Sequence, residues 1–478
     1  MQLTRLREFS DAPALTIGGA THSYAELAGM CGAVAGRLRG RRRVAFWAEN
    51  RLESCVAALA AIETGVEAVA LNPKLGSGEL AHIVSDSEPE ALVAGPADDG
   101  AGPLAGMPRI DVDAAARGSL PDAPSDPEAV ALIIYTSGTT GPPKGVLMPR
   151  RAIASNLDAL ADAWDWTEAD RLVHALPIFH VHGLVLGLVG PLRRGGQVRH
   201  LGRFSPEAVA GALAAGDTML FGVPTMYHRL AQLAEDDPEA ARALGRARVL
   251  VSGSAALPAA TFERIARATG QRVVERYGLT ETIMNTAVRA DGERRPGEVG
   301  RPLAGVEVTV RADEVDGGGE VPTDGETIGE IHVRGPNLFL GYLNRPDATA
   351  EVLRDGWFAT GDLATRAPDG YLRIVGRRST DLIKTGGYKV GAGEIESALL
   401  EHGGVSEVAV TAAPDEDLGE RIVAWVVPAD ESAPPSEREL ADHVAATLAP
   451  HKRPREVRFL GELPRNAMGK VVKQRLGA

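Results

Sequence analysis

Apolar and polar positions fall into two textures along this chain. Through the first two thirds, short β-rich apolar runs alternate with alanine-rich helical patterns. "RRVAFWAEN" precedes "LESCVAALAAIETG", "EAVALN" precedes "GELAHIVSDS", and "ARVLVSGSA" precedes "PAATFERIARATG". Such alternation predicts an α/β fold with substantially parallel sheets, in which ligands gather at strand C-termini. The stretch from Pro89 to Pro127 is rich in Gly, Pro, Ala and Asp and reads as a surface connection holding one weak strand or two. Between Gly297 and Asp381 the texture becomes short strands split by turns, "GVEVTVRAD", "GEIHVRG", "GWFATGD" and "GYLRIVGRR", the pattern of a β-rich subdomain. After Asp381 a new α/β pattern begins with "IESALLEHGG" and runs to a basic tail from His451 onward, enough chain for a small separate domain.

Length and charge narrow the picture. A chain of 478 residues predicts at least two compact units with cores of their own. The net charge of -13 argues against a nucleic-acid backbone or an anionic membrane surface as the main partner, since both need a positive face. Cys31 and Cys55 are the only cysteines, far from any C-x-x-C spacing, which points to a reducing compartment and excludes a cysteine-rich zinc site. The N-terminus lacks the continuous apolar stretch of a secretory signal, so a cytoplasmic location is expected. The most apolar window, Ala175 to Leu192, is interrupted by histidines, glycines and prolines and reads as a buried segment rather than a membrane span.

Four blocks carry candidate chemistry. "YTSGTTGPPKG", from Tyr135 to Gly145, follows the buried-strand pattern "AVALIIY" and offers backbone N–H groups, hydroxyls and a lysine to an anion. It is not a Walker A loop, because Lys144 is preceded by Pro143 and followed by Gly145. Thr136, Ser137, Thr139, Thr140 and Lys144 together favour phosphate binding over a plain surface turn. In "RYGLTET", Arg276 to Thr282, a carboxylate beside hydroxyls can hold Mg²⁺ on a triphosphate, although Glu and Thr near a helix start also form caps. In "TGD", Asp362 can accept both hydroxyls of a ribose or simply occupy a β-turn. In the tail "LPRNAMGKVVKQRL", Lys470 follows a glycine, and a solvated lysine is the ordinary alternative.

Taken in order, these blocks resemble the adenylate-forming superfamily of acyl-CoA synthetases, luciferases and peptide-synthetase adenylation domains, and the resemblance covers nearly the whole chain. It implies an α/β fold with a large N-terminal AMP-binding domain, residues 1–378, made of two α/β subdomains plus a β-rich one. A small mobile α+β C-terminal domain, residues 379–478, would follow. It also implies a two-step reaction using ATP, Mg²⁺ and CoA as substrates and cofactor. An acid and ATP give an acyl-adenylate and pyrophosphate, and a thiol then displaces AMP. By the same resemblance Thr136, Ser137, Gly138, Thr139, Thr140 and Lys144 would wrap the β and γ phosphates. Thr280 would contact phosphate and Glu281 would hold Mg²⁺. Ser254, Ala255, Ala256, Glu275, Arg276, Tyr277 and Gly278 fall in the nucleotide site, Tyr277 and the "SGSAA" backbone at the adenine. Asp362 would bind ribose, with Arg377 and Arg378 near ribose and phosphate. Lys470 resembles the lysine that bridges the α-phosphate and the acid during adenylation, and His180 the gate residue near the reacting carboxylate; His182 is read as packing. Lys384, Gly386, Gly387, Tyr388 and Lys389 would lie on the CoA side. Because Lys470 and "GGYKVG" cannot occupy the site together, the C-terminal domain is expected to rotate between half-reactions. Many members read G-R-x-[DK]-D at the pivot; here "GRRSTD" carries one extra residue and makes Ser379 or Thr380 the hinge candidate.

The pattern "FGVPTMYHRL", with "ERYGLTETIMNT" and "TDLIKTGGYKV", looks most like the malonyl-CoA synthetase branch, with a small dicarboxylic acid as substrate. Arg229 would clamp the distal carboxylate, unless it is an exposed helix arginine, which the sequence weights about equally. Met284 would form a wall at the C2 substituent, setting tolerance for methylmalonate, with Ser252 beside the acid. "FHVHG" offers no third ligand for a structural metal. The spacing P-x-x-x-x-G-K around Lys470 resembles acetylated lysines of related synthetases, which implies a protein acetyltransferase as a partner. A carrier-protein-loading adenylation protein is the second reading, though no carrier domain follows Ala478. A non-catalytic nucleotide sensor is the third, disfavoured because the expected catalytic positions are filled.

Overall fold

The computed structural model describes residues 3–96, 102–136, 142–312, 319–378, 381–386, 388–465 and 471–477. Among these residues the strands form four sheets. The largest has nine strands, and its middle six are parallel in the order Val274–Tyr277, Val249–Ser252, Met219–Gly222, Arg171–His174, Gln197–His200, Pro13–Ile17. Met219–Gly222 and Val249–Ser252 are apolar runs buried throughout, as parallel strands covered on both faces require. A six-stranded sheet holds Arg43–Trp47 and Glu67–Leu71 and ends in an antiparallel pair, Val130–Thr136 with Lys144–Pro149. The stretch from Pro89 to Pro127 contributes two short parallel strands at the edge of that sheet, Leu92–Ala94 and Arg109–Asp111.

The β-rich region forms a five-stranded antiparallel sheet including Gly329–Arg334, Trp357–Arg366 and Leu372–Arg377. The last sheet, also five-stranded, lies wholly beyond Asp381 and carries the helices Ala392–Leu400 and Glu437–Thr447. Its buried core begins at Ile383, and the core of the main body ends at Leu372, so the two apolar interiors do not mix. Between them the chain is tightly fitted. A Cβ at Gly391 would lie 2.1 Å from Val375 Cγ1, so glycine there lets the strand Leu372–Arg377 dock on the C-terminal unit.

The apolar window Ala175 to Leu192 is indeed buried, and it contains a π-helix, His182–Val189. This wide-turned helix is uncommon and tends to mark functional sites. Its glycines permit close approach: a Cβ at Gly183 would sit 2.2 Å from the Pro177 carbonyl oxygen, and one at Gly187 would sit 2.6 Å from the His174 ring. Among the described residues no helix is long and apolar enough to cross a membrane.

Candidate active site

Four loops leave the C-terminal ends of neighbouring parallel strands, after His174, Gly222, Ser252 and Tyr277, and they build one site. Strand alternation sorts the side chains of Val274–Tyr277. Glu275 and Tyr277 project to one face and Arg276 to the other.

On the first face, the Tyr277 hydroxyl donates to Asp362 Oδ2 at 2.7 Å, and Arg377 Nε approaches Asp362 Oδ1 at 2.9 Å. Asp362 is buried, and its own N–H donates to the Thr360 hydroxyl. Burial, then the charge of Asp362, pushes the Tyr277 phenol well above its ordinary pKa. Arg378 pairs with Glu330 at 2.7 Å, and Glu330 also accepts the Gly361 N–H, so both arginines are fastened around the Thr360–Asp362 turn. Glu275 accepts the N–H groups of Gly297, at 2.9 Å, and Leu257, at 3.3 Å. It thereby ties the "SGSAA" loop to the β-rich region. Its burial outweighs those bonds and lifts its pKa to about 7.

A second cluster forms where residues 340–343 run along the strand Lys144–Pro149, with Leu340 N–H to Leu147 O and Leu343 N–H to Gly145 O. This places the Lys144 ammonium over the Tyr342 ring, 5.0 Å from its centroid. The Tyr342 hydroxyl in turn donates to Glu281 Oε1 at 2.8 Å. Burial raises the Glu281 pKa, opposed in part by its hydrogen bonds and by Arg377. A desolvated carboxylate fits a hard divalent cation, which would offset that penalty while taking further ligands from water and phosphate. No cluster of three metal-binding side chains occurs among the described residues. Thr280 lies in the same turn, half-buried.

The opposite face is cationic and unpaired. Arg276 is 5% exposed, and its guanidinium lies against Gly253, where a Cβ would come within 2.1 Å of its Cζ. Its Nε and Nη2 have no hydrogen-bond partner among the described residues, and neither do His182 Nε2 and Ser252 Oγ. His182 Nδ1 meets the Ser254 hydroxyl at 3.3 Å, where Ser254 adopts φ +70°. Burial lowers the Arg276 pKa to about 9, and it drives His182 well below its usual value, with the Arg276 charge as a second cause. His182 is buried, with Nδ1 at the Ser254 hydroxyl and Nε2 without a partner among the described residues. His180, half-buried beside Phe179, is pushed down to about 4 by burial.

Met284 is buried, and its carbonyl is gripped by Asn156 Nδ2 at 2.6 Å and Asn337 Nδ2 at 3.3 Å. Gly278 makes room for this turn, since a Cβ there would fall 2.0 Å from the Ile283 carbonyl oxygen. Arg229 is exposed on the helix Pro224–Asp236, with its guanidinium 5.3 Å from the Phe204 ring centroid. Ala255 and Ala256 lie in the exposed part of the loop after Ser252.

Beyond Asp381, Lys384 pairs with Lys389 across a hairpin, Gly386 adopts φ +57°, and the exposed Tyr388 ring stacks on His451 at 4.1 Å. Ser137, Gly138, Thr139, Thr140, Ser379, Thr380, Gly387 and Lys470 lie outside the described residues. Sequence reasoning missed Tyr342, Asn156 and Asn337. A "GYLN" or an isolated Asn carries no signal until the fold brings it to the site.

Comparison with known proteins adds the following. The family model for AMP-binding enzymes matches residues 4–343, and that for the AMP-binding enzyme C-terminal domain matches residues 394–470. A malonate–CoA ligase from Arabidopsis thaliana is 41% identical over 72% of this chain, which spans 60% of that relative's length. A malonyl-CoA ligase solved as a ternary product complex with methylmalonyl-CoA and AMP is 62% identical, with a TM-score of 0.75 over 96% of this chain and 97% of that one. ATP-bound MatB from Rhodopseudomonas palustris is 37% identical, with a TM-score of 0.89 over 99% and 98%.

The Glu275 geometry yields a pH prediction. Its folded pKa of about 7 stands above the ordinary 4.5, so the folded state keeps a proton that the unfolded chain has released. The folded state is then penalised progressively as pH rises from 4.5 to 7, by up to about 3 kcal/mol once both states are ionised. Chemical denaturation at pH 5 and pH 8 should show stability falling toward pH 8 in the wild type and a flatter profile in Glu275→Gln. Parallel profiles would contradict it.

Proposed function

The chain belongs to the family of AMP-binding enzymes, and on that premise we propose that it is an ATP-dependent acid–thiol ligase. It joins a small dicarboxylic acid, malonate and with it methylmalonate, to CoA, releasing AMP and pyrophosphate. The observation that carries the dicarboxylate is Arg276. A buried guanidinium without a partner is destabilising on its own, and it becomes favourable when a carboxylate pairs with it. Ser252, Ser254 and neutral His182 add polar contacts around the same pocket. The malonate and methylmalonyl names of the relatives support this reading. Arg229, nearer the surface, acts as a second clamp on leaving Phe204, and Met284, fixed by two asparagines, bounds the C2 side.

In the first half-reaction a carboxylate oxygen attacks the α-phosphorus and pyrophosphate departs. Lys144 and the 136–140 segment bind the β and γ phosphates, Asp362 holds the ribose, Tyr277 borders the adenine, and Lys470 meets the charge developing at the α-phosphate. Mg²⁺, held through Glu281, neutralises phosphate charge when bound. In the second, the CoA thiolate attacks the acyl carbonyl and AMP departs, with the hairpin around Gly386 and Tyr388 beside the thiol arm. The division at 378/379 lets the C-terminal domain turn between these states at Ser379 or Thr380. The TM-score supports this: it is higher for the ATP-bound neighbour at 37% identity than for the product complex at 62%, as displaced rigid bodies would produce. The enzyme works in the cytoplasm, and acetylation of Lys470 by a protein acetyltransferase silences adenylation by removing its charge.

Pyrophosphate release with a panel of acids, each with and without CoA, tests the function. Malonate should release pyrophosphate, and turnover should need CoA; turnover with a carrier-protein thiol in its place would favour the alternative reading. Arg276→Met should lower kcat/KM for malonate by about 10²–10³-fold, as expected for loss of a desolvated charge partner. The apoprotein should be at least as stable as wild type, because an unpaired buried charge is removed. Unchanged malonate kinetics would sink the assignment. For the modification, mass spectrometry of cell-derived protein should find Lys470 acetylated, and its uniform absence would count against it.

A further inference from the structure

Three residues beyond Lys470, the chain returns to the body of the C-terminal unit. Lys473 opens the short turn Lys473–Arg475, and its ammonium, 16% exposed, lies between Asp381 Oδ1 at 2.5 Å and Glu396 Oε1 at 2.6 Å. Both carboxylates are fastened in turn. Asp381 Oδ2 accepts the Arg377 N–H at 2.8 Å, the Asp381 N–H donates to the Arg377 carbonyl at 2.7 Å, and the Asp381 carbonyl accepts the Ala392 N–H at 2.7 Å. Glu396 Oε1 also accepts the Val410 N–H at 2.7 Å. One ammonium therefore joins the turn that leaves the strand Leu372–Arg377, the helix Ala392–Leu400 and the strand Val405–Asp415.

The other end of the same tail is closed just as tightly. Arg465 and Val471 form an antiparallel bridge, and the Val472 N–H donates to the Pro464 carbonyl at 2.8 Å. The two ends flanking the segment that bears Lys470 are thus pinned to the domain, Arg465 by its pairing with Glu407 at 2.8 Å and Lys473 by the pair of carboxylates that includes Asp381 in the turn after Arg377. Exposed lysine pairs contribute little. This one is enclosed, and without it two half-buried carboxylates, Asp381 and Glu396, would face each other unneutralised.

We infer that Lys473 is a positioning residue for adenylation: by holding Asp381 and Glu396 together it ties residues 471–475, which follow Lys470 in the chain, to the turn after Arg377, and this tie sets the reach of Lys470. This rests on the role proposed above for Lys470. The test uses the full chain and two assays, malonate-dependent ATP–pyrophosphate exchange and CoA thiolysis of chemically prepared malonyl-adenylate. Because small misplacements of a catalytic group are costly, Lys473→Met should lower kcat for exchange by about 10²-fold, with both KM values and the thiolysis rate within about twofold. Lys473→Arg should restore most of the loss, and adding Asp381→Asn to Lys473→Met should cause little further loss, since both act as one unit. Wild-type exchange in Lys473→Met beside an inactive Lys470→Ala would overturn the inference alone. Full exchange in Lys470→Ala would remove the reading beneath it. If Lys473→Met fails to fold or loses both half-reactions equally, Lys473→Arg decides: restored exchange supports positioning, and equal loss of both half-reactions overturns it.

Discussion

A positive charge enclosed where the protein supplies no negative partner constrains everything built around it. Arg276 sits on a strand of four residues at the outer edge of the six parallel strands, and its neighbour in the alternation, Tyr277, commits the opposite face to Asp362. The guanidinium then has one direction to take, over Gly253, where no side chain larger than hydrogen fits. The π-helix brings His182 to the same place, with buried Ser252 beside it and Ser254 at the exposed rim. Such a pocket is unfavourable empty and favourable with an anion in it, which makes stability and specificity opposing demands on the same residues.

The face proposed for the nucleotide solves the reverse problem. Three anionic groups of substrate must be gathered, yet the face already holds Asp362 and Glu281. Each is buried or half-buried and answered internally, Asp362 by Arg377 and Tyr277, Glu281 by Tyr342 with Lys144 above its ring. These partners come from the six-stranded sheet, the nine-stranded sheet and the β-rich sheet, so the site exists only where the three meet.

Much of this was legible in the sequence. Buried strands announced themselves as apolar runs such as "VALIIY" and "VLVS", and the change of texture near Gly297 marked the β-rich region, because both follow from which faces meet water. The ordered motifs placed Tyr277, Glu281, Asp362 and Lys144 in one site. What was not legible depends on register and on distant pairing. Grouping Arg276 with its motif neighbours follows from adjacency, but only the strand shows its side chain turned to the face opposite Glu275 and Tyr277. Tyr342 reaches Glu281 from 61 residues away, and Asn156 reaches the Met284 carbonyl from 128. His182 looked like packing because nothing in "FHVHG" reveals a π-helix.

The most direct measurement is a crystal structure of the protein with malonate and a non-hydrolysable ATP analogue. The account predicts one carboxylate beside the α-phosphate and the other within hydrogen-bond distance of Arg276 Nε and Nη2, with Ser252, Ser254 or His182 completing its shell. Malonate bound with Arg276 still unpaired would contradict it.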